Sequence, residues 1–268
     1  MSEAVSRFEE FWRRMGLAEG LTYVHPEDED SLTGRDRSLM QLRQLPLAVN
    51  GNLRAADVLI LMLNPGFGPA DQTWSDENPA EHQTKLVGEV ANLHQRGWRN
   101  AYPFFDLNPE LAGSGGSNYW SGRSVRTGMA PMTGKLGHVA RSIADRGDVD
   151  HSEVRRELAN RVAVLQLVPY RSTSFADLQT NQARARAPQH RLQSTREALT
   201  LVRGLVAEGE KLIVVPYGVQ HWGYTGPDCS TNRLIVFRHG LRQAWFTRGN
   251  AAHRAMVDIL RCERPLPL

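Results

Sequence analysis

Residues 57–69 read DVLILMLNPGFGP. Val58 to Leu63 is an unbroken apolar run that stops at Asn64-Pro65-Gly66. A short apolar run ended by turn residues fits a strand buried on both faces. Pro65 cannot continue a ladder, and Gly66 permits backbone angles closed to other residues, so the chain is expected to leave the sheet sharply here. The carboxyl edge of an open α/β sheet is where ligands bind. A polar Asn64 followed by Phe67 reads there as a small pocket for a flat group.

Two further runs repeat the pattern. Val162–Val168 stops at Pro169-Tyr170-Arg171-Ser172, and Leu212–Val215 stops at Pro216-Tyr217-Gly218. Helical spacing separates them, which predicts a parallel sheet covered on both faces. The fold class expected is a three-layer α/β/α sandwich with a central, mainly parallel sheet. Leu234–Phe237 and Gln243–Phe246 read as additional strands. Residues 3–15 read as an amphipathic helix through Val5, Phe8, Phe11, Trp12 and Met15. Asn78-Pro79-Ala80-Glu81 and Ser194-x-x-Glu197 read as capping boxes, the first opening a helix with Leu86, Val90 and Leu93 as its stripe. Gly134–Arg146 and a segment from Ser152 read as helices, and Asn250 caps a last one. Arg35–Leu53 is ambiguous, and Asn100–Ser124 lacks periodicity, a feature of functional segments. No linker or repeat interrupts the 268 residues. The chain reads as one domain, 1–268, with an N-terminal helical extension over about residues 1–50.

The Leu63-Asn64-Pro65-Gly66 turn, following a buried first strand, resembles the first motif of the uracil-DNA glycosylase superfamily. It is nearest the branch with Asn-Pro-Gly where others carry Asp-Pro-Tyr. In that superfamily the Asp or Asn positions the attacking water and a following aromatic stacks on the flipped base. The resemblance puts those roles on Asn64 and Phe67, with Gly66 beside the base, and implies a uracil-DNA glycosylase-like fold. The superfamily reads the base with an Asn at the end of a later strand. Here that strand offers Gln166 and then Pro169-Tyr170, so Tyr170 would contribute shape and stacking, beside Arg171. The last superfamily motif, His-Pro-Ser or Asn-Pro-Ser, is missing. Its place is taken by Phe246-Thr247-Arg248-Gly249-Asn250, with His253 a turn later. The resemblance implies that Asn250 or His253 stabilises the leaving base, although helix physics alone would put Asn250 at a cap.

The irregular segment adds Asp106, Tyr119 and Trp120. Asp106, among Phe104, Phe105 and Leu107, is a carboxylate with an altered pKa or a local cap. Tyr119 and Trp120 are candidate substrate contacts. Gly113-Ser114-Gly115-Gly116-Ser117 could bring N–H groups to an anion, or be a flexible loop. Arg184, Arg186 and Arg191 form a basic loop able to follow a phosphate backbone, joined by Arg248.

Net charge is only +3, and Lys occurs only at 85, 135 and 211, so composition permits nucleic-acid binding without demanding it. No signal peptide or membrane-length apolar run is seen. Cys229 and Cys262 are too few for a disulfide framework or an all-Cys metal site. A P-loop is excluded, because Gly128 to Lys135 is one residue too long and Leu136 replaces Ser or Thr. Neither a Gly-x-Ser-x-Gly elbow nor a His-x-x-x-His pair occurs. The expectation is a cytoplasmic, monomeric DNA glycosylase without metal or organic cofactor. It would excise a flipped pyrimidine, including a larger modified one, in repair or phage defence. Two alternatives stay open: a catalytically silent nucleic-acid- or nucleotide-binding module, and a hydrolase of free nucleosides or nucleotides.

Overall fold

The structure, a computed structural model, describes residues 2–16, 22–97, 102–111, 113–122, 131–145, 150–175, 192–224, 233–237 and 246–261. Five strands form one sheet: β1 Val49–Asn50, β2 Val58–Met62, β3 Val162–Gln166, β4 Leu212–Val215 and β5 Leu234–Val236, in the order β1-β3-β2-β4-β5. β2 runs parallel to both β3 and β4, with Val58 opposite Val162 on one side and Leu212 on the other. β5 is parallel to β4, and only the short β1 is antiparallel, against β3. The three apolar runs are thus adjacent parallel strands, as their composition predicts. Arg35–Leu53, ambiguous in sequence, divides into α2 Gly34–Leu39 and the edge strand β1.

The strand side chains feed two cores. Leu59 and Leu61 pack with the helices α1 Glu3–Arg13 and α8 Gln193–Glu208. Val58, Ile60 and Met62 pack with α6 Gly137–Ala144, α7 His151–Arg161 and α9 Ala251–Arg261. The alternation follows from the period of two in a strand, and it covers both sheet faces with helix. All five β2 side chains are buried, each stabilising the fold by about 1.5–3 kcal/mol relative to exposure. The first helix is part of this core: Phe8, Phe11 and Trp12 are each 1 % exposed. At the opposite end, Arg161 donates to Asp57 Oδ2 at 2.6 Å and to the carbonyls of Ile259 and Leu260, tying β2 to the end of α9.

Several local expectations are corrected. Asn78 makes no capping bond to the helix α4 Pro79–His94. It instead closes a preceding helix, α3 Pro69–Glu77, where its side chain donates to the Trp74 carbonyl at 2.8 Å. Ser194 lies inside α8 rather than before it, and its backbone N–H is met by Asp28 Oδ1 at 3.0 Å. Glu197 is drawn to Arg7 at 2.8 Å, so that capping box also does not form. In α4 Leu93 is buried as expected, but it is joined by Lys85, Glu89, Ala91 and Asn92, while Leu86 and Val90 are only half-buried. Segment 100–124 contains, among its described residues, two short 3-10 turns and α5 Gly115–Trp120. Gln243 to Trp245 lie outside the described residues, and Phe246 sits in a turn. Among the described residues no helix is long and apolar enough to cross a membrane.

Candidate active site

Beyond its last ladder residue β2 stays bonded to the chain after β3. Leu167 N–H donates to Met62 O, Val168 N–H to Leu63 O, Ser172 N–H to Pro65 O, and Phe67 N–H to Ser172 O. The loops after the two strands are therefore joined. Gly66 forms a bridge with Ser172 and does not adopt a positive φ, so the turn does not use the left-handed freedom expected of that glycine. An added Cβ there would meet no atom within 4 Å. The loop after β4 joins them through Gly218, whose φ is +66°, with a Cβ position only 2.6 Å from Leu63 Cδ2. A side chain there would strain the left-handed backbone and press on Leu63, and the turn sets Tyr217 at the same edge.

Between these loops and α4 and α5 lies a cavity of about 470 Å³, within the size range of small-ligand pockets. Asn64, Gly66, Phe67, Asp106, Tyr119, Trp120 and Arg171 all line it. Seven of the residues singled out in the sequence thus meet in one place. It lies at the carboxyl edge, where the chain paths after β2 and β4 diverge.

Asn64 is held in a defined orientation. Its Nδ2 donates to Ser172 Oγ at 2.8 Å and to the Pro65 carbonyl at 3.2 Å. A carbonyl can only accept, so Oδ1 is the amide atom left to accept a hydrogen bond from a ligand or water. Asp106 is 4 % exposed, and its Oδ2 accepts from Asn50 Nδ2 at 2.7 Å. Burial pushes its carboxyl up to about 6, opposed by the charges of Lys85 and Arg171 and aided by those of Glu89 and Asp71. A carboxyl titrating there suits proton transfer near neutrality. Arg171 Nη2 donates to Glu89 Oε1 at 2.5 Å, so this cation is neutralised within the wall.

The glycine-rich stretch packs against carboxylates of the protein itself. Ser114 caps α5 by accepting from Ser117 N–H at 3.2 Å. A Cβ at Gly115 would fall 2.1 Å from Asp71 Oδ1, and one at Gly116 would fall 2.2 Å from Asp106 Oδ1. The closeness of these carboxylates leaves no room for a side chain at either position.

Other candidates lie elsewhere. Tyr170 is fully buried and does not line the cavity; its hydroxyl donates to Asp28 Oδ2 at 2.7 Å and accepts from His25 N–H at 3.1 Å. Burial, with Asp28 beside it, raises its pKa. Asn250 accepts from His253 N–H at 3.2 Å, the geometry of a helix cap. His253 and Arg248 line a second cavity, where His253 Nε2 is 3.0 Å from Ser142 Oγ and Arg248 is paired with Asp145. Burial lowers the His253 pKa. Arg184, Arg186 and Arg191 lie outside the described residues.

The cavity also holds residues that the sequence reading left out of the site. Gln166 ends β3, lines the cavity, and has its buried Oε1 without a hydrogen-bond partner among the described residues. Its signal is a single polar residue closing an apolar strand. Lys85 reaches the wall from α4. Its signal, the spacing Lys85–Glu89–Asn92, ordinarily marks a solvated face. Among the described residues no group of three His, Cys, Asp or Glu side chains gathers as a metal site. No family model matches this chain, and neither a curated protein nor a solved structure is significantly similar to it.

Proposed function

We propose that the protein hydrolyses the N-glycosidic bond of a base flipped out of DNA. The observation that carries this reading is the meeting, in one cavity, of an oriented amide, a carboxyl titrating near 6 and a buried acceptor without a partner among the described residues: Asn64, Asp106 and Gln166. DNA as the carrier of the base rests on the likeness of Leu63-Asn64-Pro65-Gly66 to the superfamily's first motif.

The base enters the cavity and stacks on Phe67, a contact worth about 1–3 kcal/mol in single-strand binding. Gln166 Oε1 accepts a hydrogen bond from a base N–H. Left unpaired, such a buried acceptor costs about 1–3 kcal/mol, so pairing with the base favours binding. A water donates to Asn64 Oδ1, which orients it toward C1′. Asp106 is largely ionised above pH 6 and takes a proton from that water. The new C1′–O bond forms as the C1′–N bond breaks, and the bonding pair leaves with the base. An amide alone is no base, so Asn64 supplies orientation and Asp106 proton acceptance from the same cavity.

The test is alkali-sensitive strand cleavage of oligonucleotides bearing uracil, mismatched thymine or 5-substituted cytosines. Asn64→Ala should lower excision by about 10²-fold, the scale of a lost orienting contact, with DNA binding retained. Phe67→Ala should weaken binding and excision together. If the wild type forms no abasic site on any of these substrates, the glycosylase reading is wrong and a binding module replaces it.

A further inference from the structure

We propose that the Lys85 ammonium, buried at the cavity wall with no hydrogen-bond partner among the described residues, binds the negatively charged base as it leaves. The inference rests on the glycosylase reading above and adds a catalytic residue to it.

Lys85 is 7 % exposed and lines the cavity from α4. Its Nζ makes no hydrogen bond to any described residue. The nearest carboxylate oxygen, Glu89 Oε1, is 3.8 Å away and already accepts from Arg171 at 2.5 Å. On another side Nζ lies 5.7 Å from the centre of the Trp74 ring. An ammonium carries three donors and is strongly hydrated in water, so this one is poised for an acceptor that arrives with the ligand. Among the described residues that line the cavity the cations are Lys85 and Arg171, and the Nη2 of Arg171 is already paired with Glu89 while its Nε is buried without a described partner. Asn250 and His253, which the resemblance suggests for the leaving group, do not line this cavity.

Charge conservation gives Lys85 its role. Before reaction the Asp106 carboxylate balances the ammonium. Water passes its proton to Asp106, its oxygen bonds to C1′, and the C1′–N electron pair goes to the base. As Asp106 becomes neutral the base becomes an anion, so the ammonium exchanges one counter-charge for another. The net charge of the cavity is unchanged through the step. A preorganised charge aimed at developing charge in a shielded site is usually among the largest contributions to catalysis. Asp106 then returns the proton to the departing base.

Leaving-group dependence separates this role from a structural one. Single-turnover excision is compared for oligonucleotides carrying uracil and 5-fluorouracil, whose fluorine stabilises the departing anion. Lys85→Gln should slow uracil release by about 10²-fold. It should slow 5-fluorouracil release by at least roughly tenfold less, because a stabilised anion needs less help. Lys85→Arg, which keeps the charge, should recover most of the rate. Should Lys85→Gln not fold, Lys85→Met keeps the apolar stem and gives the same comparison. Equal losses on both bases, or no recovery with Arg, would overturn the inference alone. A wild type inactive on both would overturn it together with the glycosylase reading.

Discussion

Replacing Asp106 with Asn should stabilise the protein at pH 8 and leave it little changed at pH 4. The carboxyl is 4 % exposed and burial lifts it from 3.8 to about 6. At 1.36 kcal/mol per unit, that shift is worth about 3 kcal/mol. The sign follows from proton binding. Between those two values the folded state holds the proton more firmly than the unfolded chain, so stability falls as pH rises through the window. The favourable contribution is complete below about pH 4 and is lost above about pH 6. An Asn side chain has no such titration, and its amide oxygen can still accept from Asn50 Nδ2, now at 2.7 Å from Asp106. Urea unfolding of both proteins at pH 4, 6 and 8 gives the double difference, in which carboxylates elsewhere cancel. The variant should gain about 3 kcal/mol relative to wild type between pH 4 and pH 8. Parallel profiles would refute the claim that desolvation governs this group. The same substitution should cost about 10²–10⁴-fold in excision, since it removes the proton acceptor. Stability gained and activity lost in one variant is the mark of a destabilised catalytic group.

Gly116→Ala sets a Cβ 2.2 Å from Asp106 Oδ1; urea unfolding should show a loss of about 1–3 kcal/mol, with excision falling as the carboxyl is displaced. Ser172→Ala removes the hydroxyl that accepts from Asn64 Nδ2, and should lower stability by only about 0.5–1.5 kcal/mol. Single-turnover excision should fall roughly tenfold or more as Asn64 loses its orientation, while melting shows the fold intact. Tyr170→Phe deprives the buried Asp28 carboxylate and His25 N–H of one partner, and should cost about 1.5–3 kcal/mol in urea unfolding. Activity on a shorter list of bases after that change would argue that Tyr170 acts on the substrate rather than on the scaffold.

Leu63 to Gly66 and the three apolar runs are legible because their physics is local. Val58–Met62 has no polar face to expose, and Pro65, Pro169 and Pro216 mark the turn after each run, so sequence alone determined a parallel buried sheet and the turn that bears Asn64. Asp106 is also visible, as one carboxylate among Phe104, Phe105 and Leu107. The tertiary structure decided the rest, because a polar group's role depends on what the rest of the chain brings to it. Asp28, 166 residues away, meets the N–H of Ser194 that a local capping box would otherwise satisfy. Arg171 crosses 82 residues to pair with Glu89, which lets a face of α4 that reads as solvated lie buried against the cavity. Gln166 reads as one polar residue at a strand end, and only the packing of three loops makes it a buried acceptor without a partner among the described residues. Asn250 and His253 are expected at the site only through a resemblance, and the placement of α9 against α6 turns His253 toward Ser142. Burial of a charge or an amide is tolerated only with partners, and those partners come from distant parts of the chain.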